Sequence, residues 1–352
     1  MRTDQADSLC RKAFQSGALP RSRRSFVRMD ANEGPPPPEG LLRELLEASA
    51  AVVTMYPEYH GLVDAASERF GVRAERILPV NGADEGIRLV IQAFLRPGDV
   101  MLTVEPTFRT YSACARMTGG SVVGIPVDGN LKADGRSLAG SASGAAVIIV
   151  ASPNNPTGLA VPEADIESIA ASAGRALLVI DEAYADFCGQ DFSRMLDRHG
   201  SVVLLRTLSK SFGVPGLRCG FVIADPQVLQ AIEPYRQPYC VSSVASLVGE
   251  GLLRRDLSSV ERAREAAALA LELRKDLGGS GFDALESDCH FFLLRLGRGR
   301  AGDMAGLLRE KRILVREPEP PLDDCIRVSV ASRADAEAFL GAILDLDGSV
   351  AG

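Results

Sequence analysis

Between about residues 62 and 235, short apolar runs alternate with amphipathic helical stretches, and this alternation restricts the fold more than any other feature of the chain. Ile77–Val80, Val100–Val104, Val147–Val150, Leu177–Ile180, Val202–Leu205 and Cys219–Ile223 read as strands. They lack the polar–apolar alternation of a half-exposed sheet, and a strand that is apolar throughout needs cover on both faces. Between them lie helical patterns, such as Asp84–Leu95 with Ile87, Val90, Ile91 and Phe94 on one side, and a further helical segment through Tyr111. This order specifies an α/β fold in which a mostly parallel sheet is flanked by helices.

After Val241 the pattern changes. About Ser243–Leu277 reads as one long helix, followed by strands at Phe291–Leu294 and Ile326–Val330 and helices at Asp303–Glu310 and Ala334–Leu344, the pattern of a smaller α+β domain. Pro35 to Pro38 form a stiff extended segment, with Leu41, Leu42, Leu45 and Leu46 at helical spacing after it. The expected organisation is an arm over 1–28, a large domain over 50–240, and a small domain from 29–49 with 241–352.

A formal net charge of −7 argues against a nucleic-acid surface, which needs a clustered basic face. Seven cysteines without a C-x-x-C pair read as reduced thiols of a cytoplasmic protein, and no apolar run is long enough for a bilayer. Arg21, Arg23 and Arg24 suggest a transit peptide, but Asp4 and Asp7 favour a surface arm.

Polar clusters follow the strands, where ligands of open α/β sheets gather. Thr207-Leu208-Ser209-Lys210 follows the strand ending at Leu205. A lysine leaving a buried strand can be partly desolvated, which frees its amine for carbonyl attack, and Ser209 and Arg218 can hold a phosphate. Taken alone, Lys210 reads more plainly as a solvated surface lysine. Asp181 ends an apolar strand, where a carboxylate is costly without a cationic partner such as a protonated ring nitrogen; it could equally cap the following helix. Ser152-Pro153-Asn154-Asn155-Pro156-Thr157-Gly158 is a rigid turn, functional or simply a surface turn. Asn81-Gly82-Ala83-Asp84-Glu85 joins a strand to a helix whose free amides suit an anion.

In this order the motifs resemble those of fold-type I aminotransferases dependent on pyridoxal phosphate, and among them most resemble histidinol-phosphate aminotransferases. The likeness runs from about Met29 to Leu344. It is most specific at Ser152–Gly158, Asp181–Phe187 and Arg206–Gly220, with similar stretches at Asp30–Glu33, Tyr56-Pro57, Pro106–Phe108, Ile313–Arg316 and Ile326–Val328. The resemblance implies a seven-stranded-type sheet and a transamination, here between histidinol phosphate and 2-oxoglutarate. It implies that Lys210 carries the cofactor covalently and shuttles a proton. Asp181 would pair with the ring nitrogen, Asn155 and Tyr184 would hold the phenolic oxygen, and Phe108 would stack on the ring. Ser209, Arg218 and the amides of Ala83 and Asp84 would bind the cofactor phosphate, with Tyr56 reaching it from the other subunit of a homodimer. Arg327, Arg316 and Asn32 would contact the amino donor and the 2-oxo acid, with Arg21, Arg23 or Arg24 adding charge if the N-terminal segment folds over the site. Phe108 stands where the family often has Tyr, and Gly34 interrupts an Asn-Glu-Asn-Pro pattern and removes a polar side chain there.

A threonine-phosphate decarboxylase, a secondary-metabolism enzyme using the same cofactor, or an aromatic or aspartate aminotransferase would share these residues. Arg316 also reads as a surface partner of Glu317 or Glu319. Gly297-Arg298-Gly299-Arg300-Ala301-Gly302 matches G-x-G-x-x-G, yet a glycine-rich surface loop is the plainer reading. His60, His199 and His290 are widely separated, so no metal is expected and each reads as a satisfied or surface histidine.

Overall fold

The computed structural model describes residues 22–350, so Arg21, Cys10 and most of the expected arm lie outside the described residues. The strands are β1 Val27–Met29, β2 Ile77–Val80, β3 Val100–Glu105, β4 Ser121–Pro126, β5 Val147–Ala151, β6 Leu177–Asp181, β7 Val202–Thr207, β8 Gly220–Ala224, β9 Asp283–Ala284, β10 Phe291–Arg295, β11 Ile313–Val315 and β12 Cys325–Ser329. Seven of them form the large sheet in the order β2-β8-β7-β6-β5-β3-β4. All run parallel except β8, which is antiparallel to both neighbours.

The apolar strands do what their composition requires. Along β5 and β6 every residue is buried. Ile148, Val150, Leu178 and Ile180 pack into the core on one face, and Val147, Ile149, Leu177 and Val179 into the core on the other. Each such side chain contributes about 1.5–3 kcal/mol relative to exposure. Strand β4, absent from the sequence reading, is an edge strand paired only with β3, and its outer side chains stay partly exposed. An edge with one partner needs no continuous apolar run, so the signal was missing.

A smaller antiparallel sheet, β12-β10-β9, and the parallel pair β1–β11 form a second core with Met29, Leu273, Phe292, Ile326 and Phe339. The expected helix over Ser243–Leu277 is two helices, Ser243–Arg255 and Ser259–Gly279. Asp256 leaves helical geometry between them and is buried against Arg262 and Ser258, so a short polar side chain competes locally with the helix. Val248 and Leu252 of the first helix join the large-sheet core, and Leu273 and Leu277 of the second join the small one. Leu45, in the segment expected to belong to the small domain, also packs into the large-sheet core. Strand β10, which precedes the G-x-G-x-x-G stretch, is antiparallel to both neighbours, so the parallel crossover of a dinucleotide site is missing there. No described helix is long and apolar enough to cross a membrane.

This topology gathers loops at one edge. β2, β3, β5, β6 and β7 share a direction, so the segments after Val80, Glu105, Ala151, Asp181 and Thr207 emerge together. β8 runs the other way and brings its amino end, with Arg218 just before it, to that same edge.

Candidate active site

Asp181 ends β6 and is 6% exposed. Its Oδ2 accepts from the Tyr111 hydroxyl at 2.6 Å and its Oδ1 from the Ala183 amide at 3.0 Å. Burial pushes the carboxyl above the usual carboxylate range, with the two hydrogen bonds opposing it, and burial likewise holds the Tyr111 phenol well above its usual value. No ion-pair partner of Asp181 is found among the described residues. The neighbouring Glu182 turns away to a buried pair with Arg206 at 2.7 Å. Tyr111 was read only as part of a helix; its partner lies 70 residues away, which no local pattern reveals.

Lys210 follows β7 and is half-buried. Its Nζ donates to the carbonyls of Ala31 at 3.1 Å and Asn32 at 3.0 Å, and lies 5.3 Å from the centre of the Tyr184 ring. Asn32 adopts a left-handed backbone (φ 50°), which Asn tolerates better than most residues. Its Nδ2 donates to the Tyr184 hydroxyl at 3.1 Å. Gly34 has a role beyond a lost side chain: a Cβ there would stand 2.0 Å from the Lys210 carbonyl oxygen, so only glycine lets the two backbones approach.

At the start of the helix Gly82–Phe94 the amides of Ala83 and Asp84 have no intrahelical acceptor. The Arg218 guanidinium reaches Ser209 Oγ at 3.2 Å and Asp84 Oδ2 at 3.1 Å. Gly82 (φ 72°) leaves room for it, since a Cβ would lie 2.5 Å from Nη2. Phe108 stands edge-on to Tyr111, ring centres 5.6 Å apart, beside Asp181.

Across from this group, Arg327 on β12 is 8% exposed. It donates to Asn155 Oδ1 at 2.5 Å and to the Asp30 carbonyl at 2.6 Å, while its Nε has no partner. Burial, with Arg316 adding repulsion, pushes its pKa down to about 10. Arg316 and Arg327 exchange both backbone hydrogen bonds, at 3.0 and 2.7 Å, so their side chains share a face. Arg316 pairs with neither Glu317 nor Glu319. Arg23 is committed to Asp30 and Glu33, whereas Arg24 is exposed.

Lys210, Tyr184 and Asn32 therefore meet directly, as do Asn155 with Arg327 and Arg218 with Ser209 and Asp84. Tyr56 touches none of them: it is 76% exposed and stacks on Tyr239 with centres 4.4 Å apart. His60 is exposed and His199 pairs with Glu167 at 3.0 Å. His290 departs from the expectation of a satisfied or surface residue, because it is buried, stacked on Phe187 at 4.0 Å, and leaves Nε2 unpartnered. Burial, then the nearby Lys210, push its imidazole well below the usual range. No cluster able to hold a metal is found among the described residues.

The donor set has the chemistry of a seat for a phosphorylated, nitrogen-containing ring. It offers a cradle of amides, hydroxyl and guanidinium for the phosphate, a buried carboxylate lacking a cation, and an amine nearby. The sequence profile of the family "Aminotransferase class I and II" matches residues 27–343. A histidinol-phosphate aminotransferase of Sinorhizobium fredii is 33% identical over 95% of this chain and 93% of its own. That of Thermococcus kodakarensis is 33% identical over 90% and 91%. In fold, the chain is similar to the histidinol-phosphate aminotransferase of Sinorhizobium meliloti solved in complex with pyridoxal-5′-phosphate, with a TM-score of 0.82, 22% identity, and 98% and 95% of the two chains covered. On the family match and the two near-full-length relatives, the chain belongs to the class I and II aminotransferases.

Proposed function

We propose that this aminotransferase moves an amino group between histidinol phosphate and 2-oxoglutarate in histidine biosynthesis, with pyridoxal phosphate as cofactor. The observation that carries this reading is the meeting of Lys210 with the Asn32–Tyr184 pair near the buried Arg327, in a chain a third identical to two enzymes named for that substrate. When bound, pyridoxal phosphate supplies an electron-poor ring that spreads the charge left at the substrate carbon.

The chain's own residues do the rest. Ser209, Arg218 and the amides of Ala83 and Asp84 would hold the cofactor phosphate. Asp181 is the cofactor's counter-charge: burial makes its lone negative charge expensive, so a protonated ring nitrogen is a strongly favoured partner. Phe108 would cover the cofactor ring, and the Tyr184 hydroxyl and the Asn155 side-chain amide would hold its phenolic oxygen. Lys210 Nζ, held by two backbone carbonyls, would carry the cofactor and would serve as the base that moves the proton at the substrate carbon. Arg327 binds the oxo-acid carboxylate, where its depressed pKa favours an anionic partner. Arg316, on the same face and without an ion partner, takes the donor's phosphate, and Asn32 orients the donor beside it.

The same reading makes the active unit a homodimer in the cytoplasm, with Tyr56 reaching the cofactor phosphate of the other subunit. Its support is that Tyr56 stands exposed with Met55, Val53 and Tyr239 rather than in its own chain's site. Purified protein loaded with pyridoxal phosphate is expected to form glutamate from 2-oxoglutarate and histidinol phosphate at a kcat/KM about a hundredfold above that for aspartate or phenylalanine. Equal use of those amino acids, or CO₂ release from threonine phosphate as the main reaction, would overturn the assignment.

A further inference from the structure

His290 is a buried titratable group that the proposed reaction leaves without a task. It is 0% exposed, lies face to face with Phe187 at 4.0 Å, meets Phe291 edge-on at 5.5 Å, and stands 6.1 Å from the Tyr184 ring. Lys210 Nζ lies 5.3 Å from the centre of the same Tyr184 ring, and Asn32 Nδ2 donates to its hydroxyl at 3.1 Å. His290, Lys210 and Asn32 are therefore gathered around one tyrosine.

The neighbours of the imidazole fix its state. Burial holds it well below its usual range and holds the Cys289 thiol well above its own, so both are neutral at neutral pH. Nδ1 lies 3.4 Å from Cys289 Sγ. An imidazole nitrogen accepts better than a thiol sulfur, so the thiol donates to Nδ1 and the ring hydrogen sits on Nε2. That Nε2–H is buried without a partner, and an unpaired buried donor is costly. The backbone group that acts on the imidazole is that of Asn32, which favours ring N–H.

The Asn32 carbonyl is occupied by Lys210 Nζ at 3.0 Å, and Nζ also donates to the Ala31 carbonyl at 3.1 Å. A free lysine amine has hydrogens for both. Joining it to an aldehyde carbon forms a C=N bond, and two of its hydrogens leave with the aldehyde oxygen as water. At most one N–H then remains for two carbonyls. Ala31 is exposed, so its carbonyl can turn to water, whereas Asn32 is 1% exposed and its carbonyl needs a donor from the protein.

We propose that the His290 Nε2–H takes over the Asn32 carbonyl when Lys210 releases it to carry the cofactor, so that His290 is a positioning residue that favours the linked form of Lys210. This rests on Lys210 as the residue of attachment. The cofactor-free protein holds an unpaired donor near an occupied acceptor, and linkage lets the two pair.

The test compares the Kd of pyridoxal phosphate with that of pyridoxamine phosphate, whose amine in place of the aldehyde forms no bond to Lys210. His290→Phe, a ring without the donor, is expected to weaken pyridoxal phosphate about tenfold and pyridoxamine phosphate less than about twofold. His290→Gln, which keeps a donor, is expected to stay within about threefold of the wild type for both. An equal loss for the two ligands in His290→Phe, or no loss for either, would overturn the role, as would a His290→Gln as impaired as His290→Phe. The wild type gives a check that needs no variant at this position, by NMR of the imidazole N–H with His290 resolved from His60 and His199. Pyridoxal phosphate should move the His290 N–H proton downfield as it gains an acceptor, and pyridoxamine phosphate should not; the same resonance with both would overturn the exchange. A wild type in which borohydride fixes no cofactor on Lys210 would overturn the attachment and this role together, whereas fixation on Lys210 with His290 indifferent to it would overturn this role alone.

Discussion

The two walls of the site are held in different ways. The wall of the large sheet consists of strand ends and the first turns that follow them. There Asp181 is fixed by Tyr111 and a backbone amide, and Arg218 by Ser209 and Asp84. The facing wall comes from β12, its neighbours and the 30–34 segment, and it leaves polar atoms unpaired: Asn32 Oδ1, His290 Nε2, Arg327 Nε and Ser329 Oγ. Buried polar atoms without partners are costly. The facing wall thus leaves four buried polar atoms uncompensated, whereas the polar groups of the opposite wall are paired with one another.

That contrast makes changes to the first wall the more damaging. Lys210→Ala should abolish turnover and the visible absorbance of the bound cofactor; retained transamination in spectroscopically silent protein would remove the contrast altogether. Asp181→Ala should keep weakened cofactor binding and lose rate on the order of a thousandfold, measured under saturating cofactor. On the second wall, Arg327→Lys should raise the KM for 2-oxoglutarate about ten- to a hundredfold, because lysine cannot reproduce a bidentate contact. A collapse of cofactor affinity in that variant would show that the two walls are not separable. Gly34→Ala, where the walls touch, should cost about 1–3 kcal/mol in chemical denaturation, since the new Cβ meets the Lys210 backbone.

The smallest effect concerns pH. Burial raises the Asp181 carboxyl in the folded chain. A raised acid contributes stability that is complete below its ordinary value of 3.8 and is lost as pH rises through the folded value, so at neutral pH the ionised group strains the cofactor-free protein. Cofactor-free Asp181→Asn should therefore lose less Tm than the wild type between pH 4 and pH 7, and should gain less Tm from pyridoxal phosphate. Parallel pH profiles for the two proteins would mean that the carboxylate is already compensated.

Part of the first wall is legible from sequence: Asp181 closes the apolar strand β6, and Lys210 lies three residues beyond β7, whereas Tyr111 reaches Asp181 across 70 residues. Each charge taken alone has a plain surface or capping reading, and it is their order after successive strands, with the resemblance it carries, that pointed to the site. The second wall is less legible because it is assembled over long separations. Arg327 meets Asn155 across 172 residues and Asn32 meets Tyr184 across 152, and resemblance rather than local pattern pointed to those residues. Gly34 reads in sequence as a side chain removed, yet its physical reason is a backbone approach visible only in three dimensions. The break at Asp256 is hidden because the helical pattern continues through it, and a buried ion pair with Arg262 outweighs it.

The most direct measurement is to load the protein with pyridoxal phosphate, reduce it with borohydride, digest it and weigh the peptides. The cofactor's mass should appear on the peptide containing Lys210 and vanish in Lys210→Ala. Label on another lysine, or none in a protein that still transaminates, would contradict the account.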